Sequence, residues 1–540
     1  MNSATTQKRV DLDRAPQPAT SGFVTPKGTR LPSFCSILFA TPEDRTEPLE
    51  APVFFHDLNC DQVVDAITAD KEEYGLKPFF YGCLRRVEAI KYRQEVMQDL
   101  ENAALLERVN MFAQKMRRMR EHFFRLQKLY YKEQKRAWVL EAVEIYCEGI
   151  TSLANELSHI KLKSRGLLGF RDYLMGYAGS DRFTSLSSEA KRLKAQLAAV
   201  KYCVLIKGSS FTVRHCESEI DYSAEVEETF EKFKQGAVKD YGVTFSASLD
   251  MNHIEAKVLE FVAKLHPAMF AALDDFCTRY ENFRDETVAA FDREVQFYIA
   301  YLNYTAGLKR SGLPLCYPRI SDETKHVFDH GGFDIALAHK LVGEGMSVVC
   351  NNFDLKGTER MLLISGPNQG GKTTFARAFG QLHYLASIGC PVPGRKAQLF
   401  LFDQLSTHFE KEERVEDLRG KLEDDLIRIR DILEQATSRS IIVINEIFTS
   451  TTIQDESVLS KKIMEKMVEL DVLCVWVTFV DELASFSERT VSMVSTVVPE
   501  NPTVRTFKIV RRPADGLAYA AAIAQKYRLT YESIKERIES

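Results

Sequence analysis

The 540-residue sequence predicts a multidomain α and α/β protein: a helical core or lever domain with an inserted β-hairpin, clamp-like region, then a phosphate-loop domain on a mostly parallel sheet. Three observations carry this. The stretch Met361–Thr374, MLLISGPNQGGKTT, reads as a buried strand, a glycine-rich loop and a first helical turn. From about Thr324 onward, strand and helix patterns alternate. Between about Phe54 and Ile320, apolar residues recur instead at three and four residues, the helical period.

Residues 1–52 hold seven of the 17 prolines and are expected to form an extended or disordered tail, with Ser36–Ala40 as a short apolar segment able to dock on the body. Residues 53–323 form the expected helical domain. Leu105, Val109, Phe112, Met116, Met119 and Phe123 mark one helix. Phe270, Leu273, Cys277, Tyr280, Phe283, Phe291, Val295, Tyr298 and Leu302 mark another, read as a single long helix after Pro267. Thirty-odd residues at 1.5 Å each would reach roughly 50 Å, a lever's length. Val200–Ile206 and Phe211–His215 flank Lys207-Gly208-Ser209-Ser210 and suggest a hairpin, within a clamp-like insertion near 198–246. Pro314, Pro318 and Gly331-Gly332 mark the passage to the last domain, 324–540. Its expected strands are Ser347–Cys350, Met361–Ser365, Ser440–Asn445, Cys474–Phe479 and Thr506–Val510. Its expected helices are Lys372–Ser387, Arg414–Ala436, Gln454–Glu469 and Tyr531–Glu539.

Composition narrows the function classes. A formal net charge of −5 excludes a globally basic nucleic-acid coat, so any DNA contact needs a local basic surface. Eleven scattered cysteines with no C-x-x-C pair argue for free thiols in a reducing compartment. No apolar run reaches membrane-span length, and the first residues lack a signal core, so a cytoplasmic location is expected, with nucleoid association if DNA is bound. The histidines show no metal-site spacing and there is no G-x-S-x-G.

The loop carries the chemistry. Gly366, Gly371, Lys372 and Thr373 fit G-x-x-x-x-G-K-[ST]. Its glycines let backbone N–H groups curl around a polyphosphate, and the helix from Lys372 aims its positive end at the same anion. Gly366, Pro367, Asn368, Gln369, Gly370, Gly371, Lys372, Thr373 and Thr374 are therefore the expected nucleotide-binding residues, for ATP or GTP. Lys372 would reach the outer phosphates, and Thr373 would hold Mg²⁺. About seventy residues later, Ile441-Ile442-Val443-Ile444-Asn445-Glu446 fits the second strand such a hydrolase needs. Glu446 is placed to orient an attacking water. Asn445 stands where Asp is usual, on the metal side, and brings an amide without charge.

At this level the sequence resembles the MutS family of DNA mismatch-repair ATPases. GPNQGGKTT is similar to that family's GPNMGGKST loop, and Asn445–Thr452, NEIFTSTT, to its DEIGRGTST. Thr478-Phe479-Val480-Asp481-Glu482-Leu483 resembles TH-x-x-EL, and Asp515-Gly516, Ala518-Tyr519 and Ile523-Ala524 resemble DG…SYG…A. The strong part covers about Thr324–Ser540. The resemblance implies an ATP- and Mg²⁺-dependent hydrolase, catalytic through Lys372 and Glu446, acting as a homodimeric, ATP-gated DNA clamp in repair or recombination. It departs at Asn445, at Phe479 in place of His, and at Gly420-Lys421, where the family has the Ser-Thr of a loop that crosses a dimer. Lys421 would there meet a γ-phosphate in trans. The first 60 residues leave no room for a mismatch reader, so the expected DNA is not mismatch-specific and branched forms are included. The alternative is an ATP-dependent scaffold with weak or no hydrolysis and no DNA contact, favoured by Asn445 and Phe479. The absent LSGG counts against an ABC-type ATPase. Arg108, Lys115, Arg117, Arg118, Arg120, Arg125, Lys128, Lys132, Lys135 and Arg136 within the helix-like 107–136 are read either as a phosphate-tracking helix or as a solvated face. Lys201, Lys207 and Arg214 of the hairpin have the same two readings.

Overall fold

The computed structural model describes residues 32–208, 210–216, 251–410, 420–514 and 529–539. Most of the expected tail, clamp residues 217–246, the stretch 411–419 and the pairs from Asp515 to Ala524 lie outside these. The described residues group into two compact units. One holds Glu107–Lys161 and Arg171–Val288; the other holds Cys35–Leu106, Leu162–Phe170 and the chain from Ala289 onward.

The first unit is helical. Helix Ala103–Leu126 buries Val109, Phe112, Met116 and Met119, as the three-and-four period requires. The basic stretch is not one helix. It breaks after Leu126, where buried Leu129 turns the chain, and resumes as Lys132–His159. The two helices run antiparallel, with Arg108–Glu156 at 3.3 Å, Lys115–Glu148 at 3.7 Å and Arg118–Glu141 at 3.9 Å between them. Three of the ten basic residues therefore face acids of the neighbouring helix. The expected single helix after Pro267 is also two, Pro267–Arg279 in this unit and Glu286–Arg310, most of which belongs to the other. Asp285 ends the continuity: its Oδ1 accepts the Val288 N–H at 3.0 Å, a new helix start, while Phe283 is buried in the connection. Strands β1 (Tyr202–Lys207) and β2 (Ser210–His215) pair antiparallel from Tyr202↔His215 to Lys207↔Ser210.

The second unit carries the remaining strands, β3 (Leu315–Cys316), β4 (Arg319–Ser321), β5 (Val327–Gly332), β6 (Asn351–Leu355), β7 (Met361–Ser365), β8 (Val392–Pro393), β9 (Lys396–Phe400), β10 (Leu405–Phe409), β11 (Ile441–Asn445), β12 (Leu473–Val477), β13 (Thr490–Val498) and β14 (Asn501–Arg511). The main sheet has the order β10-β11-β12-β7-β13-β14. All its pairs are parallel except β13–β14. Every residue of β7, β11 and β12 is buried, as expected of a parallel sheet covered on both faces. One face packs Ile442, Ile444 and Trp476 against Met464 and Met467 of helix Ile453–Leu470. Helix Lys372–Ser387 is itself covered by the chain near residue 58: Gln381 Nε2 donates to the Leu58 carbonyl at 2.8 Å and Arg377 Nε to that of Asp57 at 2.9 Å.

A smaller sheet, β4-β9-β5-β6, is mixed. It corrects the strand expected at Ser347–Cys350. Pairing starts at Asn351 opposite Gly332. Beyond Gly332 the partner chain leaves the sheet for helix Ile335–Gly343, capped by the Asp334 side chain, so residues 347–350 have no strand to pair with. The segment around Ile37 is docked: Ile37, Leu38 and Phe39 are buried, and the Ile37 N–H donates to Glu294 Oε2 at 2.9 Å. Burial pushes the Glu294 carboxyl up to about 7. No helix among the described residues is long and apolar enough to cross a membrane.

Candidate functional site: the phosphate loop and the facing strand edge

Parallel pairing brings the C-terminal ends of β7, β10, β11 and β12 to one edge of the main sheet, where open α/β sheets bind ligands. The loop after β7 lies there. Gly366 and Gly371 have φ of +113° and +89°, a region that disfavours side chains. Gly370 is constrained by space: a Cβ there would lie 2.2 Å from Ser495 Oγ and 2.9 Å from the Pro367 carbonyl oxygen. Gln369, also left-handed at +58°, and Asn368 are exposed at the loop tip.

Lys372 starts the helix and folds back under the loop. Its Nζ donates to the carbonyls of Gly366 and Pro367 at 3.1 and 3.3 Å and to Asn368 Oδ1 at 3.2 Å. It lies 4.5 Å from the centre of the Phe479 ring and 3.9 Å from Glu446 Oε1. Burial holds its pKa below the usual lysine value, against the attraction of Glu446. Thr373 Oγ1 donates to Asn445 Oδ1 at 2.8 Å, so the two expected metal-side residues meet. Thr374, one position further, lines a cavity with Asn351, Phe353 and Phe375.

Glu446 follows the last residue of β11 with φ of +52°, and its N–H donates to the Val477 carbonyl at 3.0 Å. That backbone aims a half-buried carboxylate at the loop. Burial raises its pKa above the ordinary carboxylate range; Lys372 opposes the shift and Glu410 adds to it. Lys421, expected to act in trans, here bonds Glu410 Oε1 and also Thr449 Oγ1, the latter at 3.2 Å.

Four participants were not legible in local sequence. Ser495 Oγ donates to the Gly370 carbonyl at 2.7 Å, and Arg505 Nε to the Asn368 carbonyl at 3.2 Å. Phe507 stands 3.7 Å from where a Cβ on Gly371 would be. Glu410 belongs to the edge of β10. Strand alternation in β13 and β14 marks inward-facing positions, but nothing local says that they face this loop.

The donor set fits Mg²⁺ in part. Thr373 Oγ1 and Asn445 Oδ1 are hard oxygen donors on adjacent elements, but both are neutral. Such a pair suits a cation that arrives with phosphate oxygens more than one caged by protein carboxylates.

The family model for MutS domain V matches residues 362–535, a span that contains the loop, Asn445, Glu446 and the β13–β14 pair. The chain is 31% identical over 204 residues to the endonuclease MutS2 of Thermus thermophilus, covering 36% of this chain and 26% of that protein. It is 28% identical over 208 residues to the DNA mismatch repair protein MutS of Zymomonas mobilis, covering 38% and 23%. The DNA mismatch repair protein MSH3 of Yarrowia lipolytica is 25% identical over 201 residues, 37% and 19%. The matched region thus spans about a quarter or less of each of these relatives. A glycine-rich loop at the end of a parallel strand, a facing strand end bearing Asn445-Glu446 and the domain V match point the same way: residues 362–535 of this chain are similar to domain V of the MutS family.

Proposed function

We propose that the protein binds and hydrolyses ATP with Mg²⁺ and acts as a homodimeric, ATP-gated DNA clamp in repair or recombination, without reading mismatches directly. In this reading it works in the cytoplasm or on the nucleoid. One observation carries the enzymatic part: Lys372, Thr373, Asn445 and Glu446 converge from two neighbouring elements on one sheet edge. Lys372 exchanges its loop carbonyls for the outer phosphates. Loop N–H groups and the helix start hold the remaining phosphate charge. Thr373 and Asn445 would hold Mg²⁺, which when bound adds positive charge at the phosphates. Glu446 orients a water in line with the γ-phosphorus and accepts its hydrogen bond. Residues 53–323 would serve as lever and clamp, and 324–540 as motor; ATP would favour the closed state by contacts made only there. The relatives named for mismatch repair support the DNA assignment by kinship.

A second reading is an ATP-dependent scaffold with little turnover and no DNA contact. Neutral Asn445 and the aromatic Phe479 beside Lys372 favour it. The deciding measurement is steady-state ATP turnover of the purified chain, alone and with duplex, mismatched and branched DNA. Turnover raised by one DNA class supports the clamp. Tight ATP binding with negligible turnover on every DNA supports the scaffold.

A further inference from the structure

Strands β10 and β11 are parallel, with Phe409 opposite Asn445. Neighbouring strands lie about 4.8 Å apart, so the next residue of each, Glu410 and Glu446, leaves the sheet side by side at the nucleotide edge. Two carboxylates so placed repel each other and any phosphate bound beside them. Glu410 has a counter-ion in the same chain: Lys421, first residue of helix Lys421–Gln435, bonds it and also reaches Thr449, three residues after Glu446. Lys421 thereby ties the ends of β10 and β11 together.

We propose that Glu410 and Lys421 form a positioning couple, acting in cis, that ties the ends of β10 and β11 together and keeps the Glu410 charge from the phosphates bound at the loop. This rests on the assignment of Glu446 under the proposed function. It differs from a lysine that crosses a dimer to its partner's nucleotide. The charged groups that face Glu446 are Lys372 from the loop helix, Glu410 from the end of β10 with Lys421 behind it, and Glu456 from helix Ile453–Leu470. Without Lys421 the Glu410 charge is exposed to Glu446 and to the incoming phosphates. The triphosphate is then repelled more than the diphosphate. Without Glu410 as well, that effect vanishes.

The experiment is a double-substitution cycle on the full chain with Lys421→Met, Glu410→Gln and the pair, reading ATP turnover and the affinities for ATP and ADP. The expected result for Lys421→Met is a several-fold lower kcat and an ATP/ADP affinity ratio lowered several-fold. Glu410→Gln alone does not lower the ratio, and the pair returns both readouts toward the unsubstituted protein. A Lys421→Met loss that Glu410→Gln does not relieve overturns the couple, and a rate that depends on protein concentration would then assign Lys421 to the trans site. An unchanged affinity ratio in Lys421→Met overturns it too. Glu446→Gln, run in parallel, separates the two layers: normal turnover there sinks the assignment of Glu446 itself. The affinity ratio needs no turnover, so a chain with negligible hydrolysis still decides the matter.

Discussion

The two halves of the nucleotide site are built on different physical terms. The loop half is fixed by sterics: Gly370 has no room for a methyl group and Gly366 no side-chain-compatible φ. The strand-edge half is fixed by charge: Lys372, Glu410 and Lys421 surround the half-buried Glu446 carboxylate, with the neutral Asn445 beside it. Of the departures from the MutS pattern that the sequence resembles, Asn445, Phe479 and Gly420-Lys421 fall in the second half, whereas the loop differs at Gln369 and Thr373, neither of them a glycine position. Steric constraints tolerate no substitution without movement of the backbone, whereas a charge can be moved to a neighbouring position and still act over several ångströms. The loop half should therefore respond to substitution by losing nucleotide, and the edge half by changing rate and pH dependence.

The largest expected effect tests the edge. Glu446→Gln keeps shape and removes the base, so turnover should fall by about 10²–10⁴ with ATP affinity nearly kept. Loss of affinity and rate together would place Glu446 among the binding groups and blur the contrast. In the unsubstituted protein the rate should fall as pH drops through the Glu446 pKa, which burial raises, so the acid limb should lie above the ordinary glutamate range. The loop comes next. Lys372→Ala removes a charge-assisted contact to phosphate, about 1.5–3 kcal/mol, or roughly 10- to 100-fold in ATP affinity. Equilibrium titration with a fluorescent ATP analogue measures it.

Gly370→Ala sharpens the steric argument. The added methyl meets Ser495 Oγ, which can rotate away, and the Pro367 carbonyl, which is backbone and cannot. ATP affinity should fall at least about tenfold, or 1.4 kcal/mol, and Gly370→Ala with Ser495→Ala should recover little of it. Full recovery would mean that the serine, not the backbone, sets the constraint. Asn445→Asp probes the opposite half. It strengthens the Thr373 contact and adds charge on the metal side, which should lower the Mg²⁺ concentration for half-maximal turnover by a few-fold, about 1 kcal/mol or less. It should also move the acid limb upward, because a second carboxylate then adjoins Glu446.

What the sequence made legible follows the same division. Helix Lys372–Ser387 and strand Met361–Ser365 lie where the motif puts them, because glycines and an apolar run state their own geometry. The small mixed sheet was not legible. Strands Val327–Gly332 and Lys396–Phe400 are short and carry polar or glycine residues in ladder positions, so neither periodicity nor composition marks them. The break at Asp285 was hidden because Phe283 continues the apolar period through a connection. Glu410 was missed because a partner across a strand register is invisible until the register is known.

The smallest expected effect joins the two sheet regions that local sequence could not connect. Ser495 lies in β13, 125 residues from Gly370, and its hydroxyl donates to the Gly370 carbonyl at 2.7 Å in a buried setting. Ser495→Ala removes the donor and leaves that carbonyl without it, at a cost of about 1 kcal/mol. If β13 merely supports the fold, chemical denaturation should show that loss with ATP affinity unchanged. If Ser495 holds the loop in its anion-binding shape, part of the same free energy must appear as weaker ATP binding, up to about fivefold. The loop's own strand and helix are very nearly fully buried and do not move easily, so the carbonyls of Gly370 and Asn368, held by Ser495 and Arg505, are where the distant strands adjust the loop. The second outcome is the expected one, because the loop half is built on fit, and a loop displaced by a few tenths of an ångström loses fit before it loses stability.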